Sequence, residues 1–205
     1  MSESSANDNA ETTPSSSPSL LAHETKAEFE YESLDHNTDA FRLLKVLPSR
    51  SADGLLQLTL WHDVVSSASY HCLSYRWGDQ SHRHTVLLNG KRFTIGGNLH
   101  GFLEAVFSRY CKDSPDDAFK ALFVDAISID QSCVRERGHQ VQQMGKIYNN
   151  AIGVLVWLGE HRLSDELLEW LHLPQRSYNS SLLSGVARDQ WDVLRFNAYW
   201  YRAWM

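Results

Sequence analysis

The residues best suited to chemistry gather at three points: Ser74-Tyr75-Arg76-Trp77-Gly78-Asp79, Asp125 with Asp130-Gln131, and Arg135-Glu136-Arg137 followed by Gln140. The first two close what read as buried strands, and open α/β sheets bind ligands at the C-terminal ends of their parallel strands. An Asp inside an apolar run such as Leu122–Ile129 must be paired or hydrogen-bonded. Asp125 is therefore either a structural acid, held by Arg76 or Arg137, or a ligand-binding carboxylate. Glu136 falls in the first turn of an expected helix, where the dipole favours its charge. At 100° per residue it borders the apolar face, on the side of Gln140 and Gln143. It is either a working carboxylate or an ordinary glutamate on a solvated face. Trp77 and Trp157 can also be core or loop-anchoring aromatics, which is the better reading for Trp157.

Other chemistries lack their signatures. There is no G-x-G-x-x-G, no G-x-x-x-x-G-K-[ST], no HExxH, no CxxC and no G-x-S-x-G, which disfavours a dinucleotide fingerprint, a P-loop, a zinc site and a serine-hydrolase elbow at Ser74 or Ser128. No metal site is expected: His71 and Cys72, adjacent on a strand, point to opposite faces. Gly96-Gly97-Asn98 before a helix can present N–H groups to an anion, but reads more simply as a turn and cap.

The elements that must position these residues follow from periodicity. Phe41–Leu47 and the alternating Leu55–Trp61 form an opening hairpin. His71–Tyr75 is a third strand. Thr85–Leu88 and Lys91–Ile95 flank Asn89-Gly90, a type I′ hairpin signal. Asn98 is the expected N-cap of a helix whose apolar positions are Leu99, Phe102, Leu103, Val106, Phe107 and Tyr110. A buried strand is expected over Ala121–Ile129, and a helix over Val134–Asn150 with Val141, Met144, Tyr148 and Ala151 on one face. Gly153–Leu158 reads as a parallel strand covered on both sides. Ser164 caps a short helix to Leu171, and Trp191–Trp204 reads as the start of another. The class is α/β: a parallel sheet core, helices on both faces, and N-terminal β-hairpins added.

Length and composition fit one domain: 205 residues, 42% hydrophobic, with seven Trp, eight Tyr and eight Phe. Residues 1–28 read as a disordered Ser/Thr-rich leader and 29–205 as the domain. The chain stops at Ala203-Trp204-Met205 inside an apolar pattern, which suggests truncation. A net charge of −6 gives no basic field, so no nucleic-acid partner is expected. Three cysteines without CxxC spacing suit a reduced compartment. With neither a targeting signal nor an apolar run of membrane-spanning length, the expected location is the cytoplasm.

Tyr70–Asp79 resembles the "Y-x-A-L-S-Y-x-W-G" opening of the fungal heterokaryon incompatibility (HET) domain. Leu122–Gln131 is similar to its "W-I-D-A-I-C-I-N-Q" motif, with Ser128 for the usual Cys and Asp130 for the usual Asn. Arg135-Glu136-Arg137, Gln140-Val141, Met144, Ile147-Tyr148, Ala151 and Val154–Gly159 resemble its "E-R-x-x-Q-V-x-x-M-x-x-I-Y-x-x-A-x-x-V-x-V-W-L-G" stretch. Tyr199–Trp204 resembles its "W-x-R-x-W" element. The resemblance implies a cell-death effector in fungal non-self recognition, with a flavodoxin-like fold distantly similar to TIR domains. Some TIR domains cleave NAD with a glutamate near a helix start, and by that analogy the resemblance implies Glu136 as its counterpart. Two functions follow. One is a signalling or interaction module that works by self-association or by docking a protein partner. The other is an N-glycosidase with NAD as substrate and no bound cofactor. In the second, Glu136 stabilises the oxocarbenium-like ribosyl centre, Tyr75 or Trp77 stacks on a ring, and Arg76 and Arg137 meet the pyrophosphate.

Overall fold

The computed structural model describes residues 27–110, 119–160, 163–172 and 180–201. The elements run β1 (Ala40–Val46), β2 (Gln57–Val64), β3 (His71–Tyr75), β4 (Arg83–Leu88), β5 (Lys91–Gly96), α1 (Gly97–Tyr110), β6 (Leu122–Phe123), α2 (Asp125–Ser128), α3 (Val134–Asn150), β7 (Gly153–Trp157), α4 (Asp165–Leu171) and α5 (Gly185–Arg195). Two 3-10 turns, Ser180–Leu182 and Ala198–Tyr201, complete the described chain. All seven strands join one sheet in the order β5-β4-β2-β1-β6-β3-β7. Five of them share one direction, because β1 and β5 alone run antiparallel to their neighbours.

Strand alternation divides the core. Leu44, Val46, Leu73, Tyr75 and Leu122 point to one face, where Leu99, Phe102, Leu103 and Val106 of α1 cover them. Phe41, Leu43, Cys72 and Phe123 point to the other, against Ile147, Met144 and Tyr148 of α3. The expected α/β class, with helices on both faces, is therefore present. The opening hairpin is there too, with Leu44 opposite Leu60. So is the type I′ turn, where Asn89 (φ 50°) and Gly90 (φ 79°) occupy the left-handed region it requires.

Several expectations differ from the structure. The strand expected over Ala121–Ile129 stops at Phe123 and turns into the single-turn helix α2. Ser128 Oγ accepts the Val124 N–H at 3.1 Å and the Asp125 carboxylate accepts the Ala126 N–H at 2.8 Å. These short side chains offer the backbone partners that compete with the ladder. The buried face of α3 is Glu136, Gln140 and Ile147, while Val141 is exposed. Helix α1 begins at Gly97, and Asn98 holds neighbouring segments instead of capping it. Its Nδ2 donates to Arg76 O and its Oδ1 accepts from Trp157 Nε1. β7 is parallel to β3 as expected, but among the described residues it lies at the sheet edge with Val154 and Val156 exposed, not covered on both faces. The helix expected from Trp191 ends at Arg195 and resumes as the 3-10 turn. Its continuation through Trp204 lies outside the described residues, as do residues 1–26 of the expected leader. Ala27 and Glu28, the leader's last two residues, already pair with Arg92 of β5. No helix among the described residues is long and apolar enough to cross a membrane.

Candidate functional site

A cavity of about 680 Å³ opens beyond the ends of β3 and β6, within the size range of small-molecule sites. Phe29, Tyr31, Tyr75, Trp77 and Phe93 supply aromatic walls, and Gln80, Arg83, Asp130, Gln131 and Ser132 supply polar groups. Phe29, Tyr31 and Phe93 pack edge-to-face, with centroids 5.0–6.1 Å apart, so this wall is fixed by its own ring geometry. The N-terminal segment carrying Phe29 and Tyr31 is held to β5 by backbone bonds to Arg92.

The sequence-predicted residues separate into three groups. Tyr75, Trp77, Asp130 and Gln131 line the cavity. Asp125 joins them through Trp77, whose indole Nε1–H donates to its carboxylate at 3.2 Å. Gln131 Nε2 donates to Asp125 O at 2.9 Å, and Arg137 donates to Gln131 O at 3.1 Å. Among the described residues, neither Arg76 nor Arg137 forms an ion pair with Asp125. Gly78 follows Trp77 at φ 70°, a turn that suits glycine.

Ser74 and Arg76 form the second group, because they alternate with Tyr75 and Trp77 along an extended segment. Ser74 Oγ lies 2.8 Å from Tyr199 OH. Arg76 borders a smaller hollow of about 330 Å³ with Trp157, Asn197 and Tyr199.

The third group is buried behind the cavity wall. Glu136 (3% exposed) makes a bidentate pair with Arg42 (1% exposed), at 2.6 and 2.9 Å. Arg42 also donates to Ser128 O at 3.1 Å, Glu32 O at 2.5 Å and His62 Nε2 at 3.2 Å. All five guanidinium N–H groups are therefore used. Glu136 Oε1 additionally accepts the Asp130 N–H at 2.7 Å. Gln140 Nε2 donates to Ala40 O at 2.8 Å in the same layer. Glu136 is accordingly not a glutamate on a solvated face, and it does not line the cavity.

Tyr31, in the cavity wall, lies against Arg42. The Arg42 guanidinium carbon stands 4.9 Å from the ring centroid, within cation–π range. Tyr31 OH donates to Ile127 O at 2.9 Å, and burial pushes its phenol well above the usual range against the opposing pull of Arg42. Sequence reasoning missed Arg42 and Tyr31. The signal for Arg42 was a charge inside the apolar run Phe41–Val46, which demands a buried partner. Among the described residues, no three His, Cys, Asp or Glu side chains come together to hold a metal ion.

The family profile described as "Heterokaryon incompatibility protein (HET)" matches residues 70–205. The chain belongs to the HET family. It is 29% identical over 161 residues to Heterokaryon incompatibility protein 6, OR allele, of Neurospora crassa. That alignment covers 69% of this chain and 23% of the relative, so the chain spans about a quarter of that protein's length. No solved structure matches. The family match takes in the Tyr75–Trp77 strand end, the Asp125–Gln131 loop and Glu136. Phe29, Tyr31 and Arg42, which complete the cavity wall and the buried pair of this HET domain, lie N-terminal to the matched residues.

Proposed function

We propose that this HET domain is an effector module of fungal heterokaryon incompatibility, acting in the cytoplasm by self-association or partner docking to trigger cell death. Family membership supports the incompatibility role. The Arg42–Glu136 pair supports an interaction module over a catalyst. Both carboxylate oxygens of Glu136 are committed to a buried guanidinium, and Glu136 does not line the cavity. A catalytic carboxylate must reach the reacting atom. The test is expression of the chain in a fungal host, with viability and NAD content followed together. Death without NAD loss is the expected result. Survival of cells containing folded protein would refute the effector reading.

The second reading, an N-glycosidase with NAD as substrate, draws on a different observation. The parallel strands β6, β3 and β7 lie in the order second-first-third, the order in which flavodoxin-like sheets begin, and the aromatic cavity sits at the strand ends. Nicotinamide release from NAD by the purified chain would favour this reading. Its loss in a Glu136→Gln variant that melts like the parent would assign the carboxylate.

A further inference from the structure

Two histidines close the corner where β4 meets the start of α1. His84 lies on β4, opposite Ile95 of β5, and His100 lies in the first turn of α1. Their rings stack face to face, with centroids 4.1 Å apart and planes 13° from parallel. Side chains alternate along a strand, so His84 shares the α1 side of the sheet with Val86 and Leu88. The Gly97 N–H donates to His82 O at 3.0 Å and joins the same two segments beside the rings. A Cβ on Gly97 would stand 3.7 Å from His84 Nε2. The stack therefore packs directly on the beginning of the helix.

The surrounding charges decide which protonation states this corner accepts. Glu104, one turn along α1, stands 3.5 Å from His100 Nε2, and Arg50 of the β1–β2 loop holds its other oxygen. Glu160, beyond β7, lies over Gly101, with Oε1 2.9 Å from where a Cβ would be. His82, ahead of β4, turns its ring to Asp79 at 3.6 Å. Arg83, next to His84, lines the cavity. Burial, and then the His84 charge, holds His100 below the usual imidazole range, with help from Arg50 and against the pull of Glu104 and Glu160. The positive end of the helix dipole also disfavours a cation in the first turn. With both rings charged, like charges 4.1 Å apart disfavour the stack about fivefold even at the dielectric constant of water.

We propose that the His84–His100 stack is a proton-operated latch, which fastens α1 to β4 while the rings are neutral and releases it as both become charged. Its target is the main cavity, because the latched elements build one wall of it. Arg83 and Leu99 are the chain neighbours of the two histidines, Ile95 and Gly96 pair with His84 and Arg83 across the hairpin, and all four line the cavity. Acidification loosens that wall from outside, without a ligand. The lowered folded value of His100 sets the sign. The contribution of the latch is full above the ordinary histidine range near pH 6.5 and is lost as the pH falls through the lower folded value.

Amide hydrogen exchange of the chain at about pH 7.5 and about pH 5.5, either side of the ordinary histidine range, tests this once intrinsic rates are corrected. Protection over residues 95–101 should fall about fivefold or more toward acid, while Leu43 and Leu44 at the centre of the sheet keep theirs. His100→Gln should abolish the acid loss. His84→Gln should cut it to less than about twofold, leaving only the burial of His100. A stack with a merely structural role would lose protection equally at both pH values in these variants and leave the parent without a pH slope. Parent protection that is the same at both pH values overturns the proposal, as does an acid loss as large in either variant as in the parent. Cell death does not enter this readout, so a flat pH profile removes the latch and leaves the effector reading standing.

Discussion

Replacing Glu136 with glutamine should lower the melting temperature of the chain by roughly 6–20 °C. Breaking a buried ion pair by neutralising one partner leaves the other charge uncompensated, at a cost of about 3–5 kcal/mol. For a chain of this size each kcal/mol shifts the midpoint by about 2–4 °C. The structure places the variant toward the lower half of that range. A glutamine keeps one carbonyl acceptor for the Arg42 guanidinium, but its amide turns two donors toward groups that already donate, Arg42 and the Asp130 N–H. Arg42→Met should be at least as damaging, because Glu32 O and Ser128 O lose their donors as well. The double variant Arg42→Met, Glu136→Leu removes both charges and should recover part of the loss, giving a coupling energy of about 2–3 kcal/mol. Circular dichroism melts and urea titrations of the four proteins complete the cycle. A Glu136→Gln variant melting within 2 °C (about 1 kcal/mol) of the parent would refute the structural role. If it had also lost NAD cleavage, the carboxylate would be catalytic after all.

Thiol reactivity should divide the described cysteines: burial raises the Cys72 thiol to about 12, so a maleimide should label half-exposed Cys133 and spare Cys72 until the chain unfolds, as read by peptide mass spectrometry. The Lys146 ammonium donates to Asp39 Oδ2 at 2.6 Å and holds that carboxyl below its usual range against a smaller opposing effect of burial. A depressed folded value makes the contribution full above the ordinary aspartate range near pH 4 and lost as the pH falls through the lower folded value. The melting gap between the parent and Asp39→Asn, worth less than about 1 kcal/mol for so exposed a pair, should be constant from pH 7 to about 5 and close as the pH falls through the lowered folded value. Trp77→Phe keeps an aromatic ring at the cavity but removes the indole donor to Asp125. It should cost about 0.5–1.5 kcal/mol and speed amide exchange in the Asp125–Ser132 loop.

Local rules carried far where a signal lies within one element. The α3 boundaries follow from periodicity and the β4–β5 turn from Asn89-Gly90, because both depend on residues a few positions apart. What failed depends on partners distant in sequence. The run Leu122–Ile129 is apolar enough for a strand, yet its Asp and Ser side chains bond locally and draw the chain out of the sheet. β7 is as apolar as a central strand, and nothing in its composition says that it is the last described strand on its side of the sheet. Ser74 to Trp77 reads as one cluster until strand alternation sends Tyr75 and Trp77 to the main cavity and Arg76 to the smaller hollow. Glu136 was singled out by its place on the helix, in the first turn of α3. Its partner was not, because Arg42 lies 94 residues earlier and only the fold brings them together.

The connections among these residues bear on how any activity measurement should be read. Arg42 fixes Glu136, and Glu136 fixes the Asp130 N–H. Asp130 accepts from the Ser132 N–H and hydroxyl, while Gln131 reaches back to Asp125, which holds Trp77. The loop between α2 and α3 thus reaches the cavity through a chain of hydrogen bonds that starts at a buried ion pair outside the cavity lining. Loosening the pair would displace Asp130 and Gln131 from the cavity wall with no direct contact between Glu136 and a ligand. Loss of binding, signalling or NAD cleavage in a Glu136 variant therefore identifies chemistry only where the melting temperature is unchanged. Where it falls together with that of Arg42→Met, the same loss reports the scaffold.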